Sequence, residues 1–404
     1  MWRKLERIEY DNAPAMTPLV LHASRALTPL EEISDAAVVI EDGVITLVGR
    51  RDAVRVPPRA RVINAIDKTV VPGFVDVHIH GAGGHDVMEA NPAALSAIAA
   101  TVARHGTTSL VATTVTASTD TICQSAEGIA RYIKKQGTTV SKLCAAEILG
   151  IHFEGPFISA TRRGVHPVEW LVLPSVETLE QFLASANGTA RILTLAPELL
   201  GAMPCIDAAR KAALVVSLGH SDATYTQALA AIRRGAQHAA HVFNAMRPFS
   251  HRETGILGAV LTEQKVTAEL IADGVHVDEA AMRLLWGAKG FKSVILVSDG
   301  TAATGMPDGK YSLGTFEVDV VGGVCRNSEG RLAGSTLTLD RALRNVVGMG
   351  VTLVEAVGML TINPARLLGL EGKKGVLCAG ADADLVLLDE KLHLAGVMTR
   401  GIGL

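Results

Sequence analysis

Cysteine is scarce and unpaired in this sequence: five residues in 404, Cys123, Cys144, Cys205, Cys325 and Cys378, scattered with no C-x-x-C spacing. That count offers neither a zinc knuckle nor a dithiol redox motif, and it fits a reducing cytoplasm. No stretch approaches the roughly 20 uninterrupted apolar residues of a membrane span. The opening MWRKLERIEYDNAP is charged and lacks the apolar segment of a secretory signal, so neither export nor membrane spanning is expected. Met16 opens a strand-like stretch, and residues 1–15 read as a dispensable extension. Basic excess is absent too, with 38 Lys and Arg against 41 Asp and Glu for a net charge of −3 and no basic stripe. Nucleic acid is therefore not an expected partner, and any anionic ligand has to be met by local groups. No internal repeat, low-complexity segment or G-x-S-x-G elbow beside a suitable histidine is visible, which disfavours solenoids and a serine nucleophile.

What is present is a large apolar inventory. Hydrophobic residues make up 48% and charged residues 20% of the chain, enough for a big core in two or three domains, or one barrel with an appendage. Residues 18–70 alternate like short strands, with Asp42-Gly43 marking a hairpin. Such a unit needs further strands, and GVLCAGADADLVLLD (375–389) with the closing residues supplies them. The expected organisation is a small β-sandwich domain built from both termini (16–72 plus 374–404) around a long insertion (73–373). Within that insertion, strand-like runs at 74–80, 108–115, 143–152, 191–195, 214–219, 237–243, 266–272 and 293–298 alternate with helical stretches. One of these, NPAALSAIAATVARHG, carries Asn91 as cap, Pro92 in the first turn and Gly106 as stop. Eight strands alternating with helices predict an α/β fold of the (β/α)8 TIM-like barrel type, with a doubly wound sheet as the alternative. The Gly-rich segment 300–335 reads as hairpins overhanging the rim.

In a barrel, chemistry gathers where strands end. The first strand ends VPGFVDVHIHG, and its period of two puts Asp76, His78 and His80 on one face, the imidazoles about 7 Å apart. The third ends ILGIHFEGPF with Glu154 at its tip, suited to ligate a metal or to act as a general base. The fifth ends at His220. The sixth carries His238 and His241, which face opposite sides of a strand, and His241 lies nearer the mouth. The eighth ends at Asp299. His78, His80, Glu154, His220, His241 and Asp299, six nitrogen and oxygen donors without a thiolate, suit Zn²⁺, Fe²⁺, Mn²⁺ or Co²⁺ with an open position for water, which is hydrolytic chemistry.

PGFVDVHIHG, followed by strand-end histidines and aspartate and flanked by a split β-domain, resembles the amidohydrolase superfamily. Within it, HFEGPF, GHSDATYTQ, HVFNAMRPF, IADGVHVD, VSDGTAATGMPDGKY, LAGSTLTLDRALRN and NPARLLGL are similar to the motifs of the N-acetylglucosamine-6-phosphate deacetylase family, in order, over nearly the whole chain from about residue 18. The resemblance implies cleavage of acetate from N-acetylglucosamine 6-phosphate, a small sugar phosphate, in cytoplasmic amino-sugar catabolism. It implies one metal ion on Glu154, His220 and His241, with Asp299 as catalytic acid and base. His78 and His80, kept here but lost in some members, allow a second ion bridged by Glu154, so one or two divalent ions per subunit are expected, zinc foremost. His166 then matches the contact to the acetyl carbonyl and sugar, and Asn244 and Ala245 offer backbone and amide contacts. Val165, Leu332, Ala333, Gly334 and Ser335 shape the sugar pocket. Arg252 and His276 match the phosphate pair, which is chemically sensible because a sugar phosphate carries about two negative charges and arginine grips it bidentately. In the family an arginine crosses from the adjacent subunit, so a homodimer with shared active sites is expected. The alternatives are deacetylation of N-acetylgalactosamine 6-phosphate, a dihydroorotase-type cyclic amidase, which wants a carboxylated lysine where these strand tips offer Glu154, and a non-catalytic scaffold, which would have lost ligands.

Overall fold

The computed structural model describes residues 17–136 and 143–404, so the reading of residues 1–15 lies outside the described residues. The chain opens with β1 (Leu19–Leu27), β2 (Glu32–Glu41), β3 (Val44–Arg50) and β4 (Arg61–Pro72). Asp42 and Gly43 both take left-handed φ, 48° and 76°, and join β2 to β3 through the two-residue turn their sequence predicts. β4 pairs in parallel with β1, a link that no hairpin signal in the sequence announces.

After Gly73 the chain enters the barrel. Its elements are β5 (Phe74–Ile79), the short β6 (Gly81–Ala82) and β7 (His85–Asp86), α1 (Pro92–Ala103), β8 (Thr107–Thr114), α2 (Thr119–Gln136) and β9 (Glu147–Glu154). There follow α3 (Val176–Ala186), β10 (Ala190–Leu195), α4 (Ala202–Lys211), β11 (Val215–Leu218), α5 (Tyr225–Arg234) and β12 (His238–Ala239). The last turns are α6 (Gly255–Thr262), β13 (Thr267–Leu270), α7 (Glu279–Lys289) and β14 (Val294–Leu296). β5 and β8 to β14 form one parallel sheet in chain order, and a bridge from Ile79 to Gly300, just past β14, draws its edges together into a barrel. Strands covered by helices on the outside and by one another within are shielded on both faces, and every residue of β8 is buried. α1 begins as its sequence dictates: Asn91 Oδ1 accepts from the Ala94 amide at 3.0 Å with Pro92 behind it.

The Gly-rich segment becomes β15 (Gly309–Leu313), β16 (Phe316–Val321) and β17 (Val324–Asn327), an antiparallel sheet of three strands over the barrel mouth. The chain then runs through α8 (Leu339–Gly348), α9 (Leu353–Leu360) and α10 (Ile362–Leu367) to β18 (Leu385–Leu388), β19 (Leu394–Thr399) and β20 (Ile402–Gly403), which complete a seven-stranded sheet with β1 to β4. The two termini thus share one small β unit beside the barrel. Their joint includes Lys374, which is buried, with Nζ 2.7 Å from Glu147, 2.8 Å from Asp384 and 2.9 Å from Asp382. Desolvation acts to lower its pKa, yet the three carboxylates hold it above the ordinary lysine value.

One expected element is shorter than its sequence pattern. The run at 237–243 is strand only at His238–Ala239, because His241, Phe243 and Ala245 have φ of 26°, 80° and 51°, which a strand cannot accommodate. Among the described residues no helix is long and apolar enough to cross a membrane.

Candidate active site

The polar residues at the barrel mouth meet on one carboxylate. Glu154, the last residue of β9, is 2% exposed. Its Oε1 lies 2.9 Å from His241 Nε2, 3.2 Å from His220 Nε2 and 3.2 Å from His78 Nε2. Its Oε2 lies 3.2 Å from His80 Nε2 and 3.5 Å from His166 Nε2. Asp299 closes the ring with Oδ1 3.2 Å from His80 Nε2 and 3.6 Å from His78 Nε2. All six predicted strand-end residues are therefore within reach of one another.

Local backbone geometry aims them. His220, His241 and Asp299 follow β11, β12 and β14 with φ of 46°, 26° and 47°, a left-handed conformation that costs a non-glycine residue free energy and concentrates at functional sites. The residues that follow supply the fixing bonds: the Asp299 amide donates to the His78 carbonyl at 2.9 Å, and the Ser335 amide donates to the Asp299 carbonyl at 2.7 Å. Gly155, at φ 78°, has no side chain for a mechanical reason, since a Cβ there would sit 2.2 Å from Thr116 Oγ1. That small volume lets Thr116 and His166 approach the tip of β9.

Behind His78, His80, His166 and His220 stands a hydrogen-bond partner that fixes which nitrogen faces the centre. His220 Nδ1 meets the Arg162 carbonyl at 3.0 Å, His80 Nδ1 meets the Thr113 carbonyl at 3.2 Å, and His78 Nδ1 meets Glu269 Oε2 at 2.8 Å. Carbonyl and carboxylate oxygens only accept, so in each ring Nδ1 carries the proton and Nε2 is directed inward. His166 is reversed. Its Nδ1 accepts from the Thr116 amide at 3.3 Å and lies 2.8 Å from the Thr116 hydroxyl, leaving Nε2–H as the donor toward the cavity. Burial pushes His166 down to about 4, so it is neutral near pH 7.

Electrostatics follow from that crowding. Desolvation works against every charge here, yet the histidines hold Glu154 well below the ordinary carboxylate range and Asp299 below it as well. In the same way Glu154 and Asp299, against burial, lift His80 to about 9. The donor set fits a divalent metal. His78 Nε2 and His241 Nδ1 are buried without a hydrogen-bond partner, and His220 Nε2 faces His241 Nε2 at 3.1 Å, two nitrogens that a single proton can bridge only once. His78, Glu154 and His241 place ligand atoms within 4.8 Å of one another, as do His78, His80 and Asp299. Nitrogen and oxygen donors at such spacing suit Zn²⁺, Fe²⁺, Mn²⁺ or Co²⁺.

A cavity of about 180 Å³ opens above these groups, lined among others by Val115, Val165, Asn244, Ala245, His276 and Leu313. Leu332 and Gly334 also reach it. Ala333 and Ser335 do not line it: both are buried and brace the loop instead, Ser335 Oγ donating to the Ser298 carbonyl. Arg252 stands exposed in the turn Ser250–Glu253, outside the cavity of its own chain. His276 Nδ1 is held by Asp273 Oδ2 at 2.7 Å, so Asp273 orients a cavity side chain. His152, whose parity with Glu154 suggests a supporting role, instead contacts Thr194 at 2.7 Å and stacks edge-on against His78. The sequence reading passed over Glu269, a carboxylate alone in the apolar run VTAELIA, and Val115 and Leu313, which carry no polar signal.

With that geometry in hand, comparison with known proteins is informative. The Amidohydrolase family matches residues 69–401. A protein of Escherichia coli O157:H7 named N-acetylgalactosamine-6-phosphate deacetylase is 38% identical over 383 residues, 95% of this chain and 98% of that one. The N-acetylglucosamine-6-phosphate deacetylase of Lysinibacillus sphaericus is 39% identical over 336 residues, 83% of this chain and 85% of its own. The crystal structure of a substituted N-acetyl-D-glucosamine-6-phosphate deacetylase from Mycobacterium smegmatis in complex with N-acetyl-D-glucosamine-6-phosphate superposes with a TM-score of 0.88 at 37% identity, covering 96% of this chain and 99% of that one.

Proposed function

The chain belongs to the amidohydrolase family, and from that premise we propose that it hydrolyses the acetamide of N-acetylglucosamine 6-phosphate to glucosamine 6-phosphate and acetate, a step of amino-sugar catabolism. The observation that carries this reading is the convergence of five imidazoles on the single buried carboxylate of Glu154, with Asp299 beside them and a sugar-sized cavity above.

Glu154, His220 and His241 would hold one divalent ion, and His78 and His80, with Glu154 bridging, a second. Bound there, the metal supplies a Lewis acid for the acetyl carbonyl and lowers the pKa of the attacking water. The remaining chemistry belongs to the protein. His166, neutral and with Nε2–H turned inward, donates to the carbonyl oxygen as negative charge develops on it. Asp299, ionised, takes the proton of the attacking water on its carboxylate and passes it to the amine nitrogen, which leaves poorly unless protonated. His276, clamped by Asp273, meets the phosphate from within the chain, and Arg252 of a second copy completes the grip in a homodimer with shared sites. Val165, Asn244, Ala245, Leu332 and Gly334 shape the sugar site.

A second reading, deacetylation of the galactosamine epimer, has the 38% identical E. coli relative in its favour, and the two differ only at one ring hydroxyl. Removing metal with a chelator and restoring it tests the shared chemistry. Turnover of N-acetylglucosamine 6-phosphate should fall with metal content and return with added Zn²⁺, Mn²⁺, Co²⁺ or Fe²⁺. Undiminished turnover in protein shown by elemental analysis to be metal-free would exclude it.

A further inference from the structure

Glu269 lies in β13 between Ala268 and Leu270, fully buried, the one charged residue of that strand. A carboxylate is costly to bury unless each oxygen finds donors. Here both do. Oε2 accepts from the His241 backbone amide at 2.9 Å and faces His78 Nδ1 at 2.8 Å, while Oε1 faces His238 Nε2 at 2.8 Å. His238 is fastened in turn by Thr267 Oγ1 at 2.7 Å from its Nδ1. The result is a line of contacts, Thr267 to His238 to Glu269 to His78, running up the inside of the barrel and stopping at His78 Nε2, the buried atom that has no hydrogen-bond partner and points at Glu154.

Resting on the metal-dependent reading above, we propose that Glu269 is the positioning residue of the centre, one carboxylate that sets the donor nitrogen of His78 and the backbone of His241 together. Two features of the site make this specific. Of the other proposed metal-holding histidines with a ring partner, His80 and His220 lean on backbone carbonyls, so among them His78 alone has a charged partner behind it. His241 is the one whose Nδ1 has no partner, and it is also the one whose amide, at φ 26°, is tied to Glu269. Glu269 therefore supports His78 at its ring and His241 through its backbone amide. By keeping the proton on His78 Nδ1 it leaves the Nε2 lone pair for the ion that His78 and His80 would share, and its negative charge makes that nitrogen a stronger donor. Glu269 never touches substrate, and its effect reaches the reaction through His78.

The test is loss of metal from the intact holoenzyme. Glu269→Gln keeps the shape and one acceptor while removing the charge, and His238 can move its proton to Nδ1 to receive the amide. Wild-type holoenzyme and Glu269→Gln, loaded with Co²⁺ or Zn²⁺, are passed into chelator, and ions per subunit are followed by elemental analysis. The expected result is that the ion shared by His78 and His80 leaves about 10- to 100-fold faster, or is missing from the start, while the ion on Glu154, His220 and His241 is retained. In a His78→Asn background the same change should add nothing further. Equal stoichiometry and release within twofold of wild type would overturn the proposal, as would an equal effect with and without His78. If Glu269→Gln does not fold, His238→Asn, which removes the partner behind the carboxylate, should quicken release in the same direction, and no change there overturns it too. Wild-type protein that retains no metal after loading would instead refute the metal-dependent reading itself.

Discussion

At the residue scale the account assigns separate work to neighbouring carboxylates. Glu154 is surrounded by imidazole nitrogens on both oxygens and has no free edge from which to move protons, whereas Asp299 touches the cluster through Oδ1 only. Asp299→Asn should therefore keep substrate binding, read as an unchanged dissociation constant by calorimetry, while kcat falls by on the order of 10²- to 10⁴-fold. Near-normal kcat with a raised KM would remove Asp299 from proton transfer. Much of this constellation was legible in the sequence because histidines and acids at the ends of apolar strands have few other reasons to be there. What could not be read was which partner stands behind each ring. Glu269, Asp273 and Thr116 act through contacts between distant parts of the chain, and a single carboxylate in an apolar run does not say what it meets.

Elements carry the positions. The alternation of apolar runs with capped helices made the barrel legible, and Asp42-Gly43 made the first hairpin so; the parallel pairing of β1 with β4 was not, since nothing local encodes a partner reached through a crossover. The short β12 was misread for a related reason: residues 240–243 look enough like a strand in sequence, but the left-handed φ of His241 and Phe243 ends it after Ala239. Joints between elements also store stability that pH can release. Asp340, in the first turn of α8, pairs with Arg344 at 3.0 Å and lies 3.4 Å from His105 beyond α1. Burial alone would raise its pKa, but His105, Thr338 and Arg344 bring it down to about 2. A folded value below the unfolded one means that the stabilisation is complete above about pH 4 and fades as pH falls toward about 2, with a size of about 2 kcal/mol at most. The gap in urea midpoint between wild type and Asp340→Asn should hold steady from pH 7 to 5 and narrow below pH 4. A gap that stays constant to the lowest pH at which the protein folds would contradict this.

On the scale of the whole molecule, a chain of net charge −3 has to recruit a dianionic phosphate, and its own cavity offers His276 while Arg252 stands outside. In the isologous dimer proposed above, each site would borrow Arg252 from the other copy, which would resolve the mismatch. Co-refolding Arg252→Ala with Asp299→Asn should then restore about a quarter of wild-type activity, since half of randomly assorted dimers are mixed and each mixed dimer has one intact site. Inactive mixtures in which mass analysis finds heterodimers would place Arg252 within its own subunit's site. The central claim, deacetylation of a 6-phosphorylated N-acetylhexosamine, is tested most directly by measuring acetate and free amine released from N-acetylglucosamine and N-acetylgalactosamine, each with and without the 6-phosphate. The account predicts equimolar acetate and amine from N-acetylglucosamine 6-phosphate, with the phosphate-free sugars far slower. No release from either phosphorylated sugar by metal-loaded protein, or equal rates with and without phosphate, would contradict it.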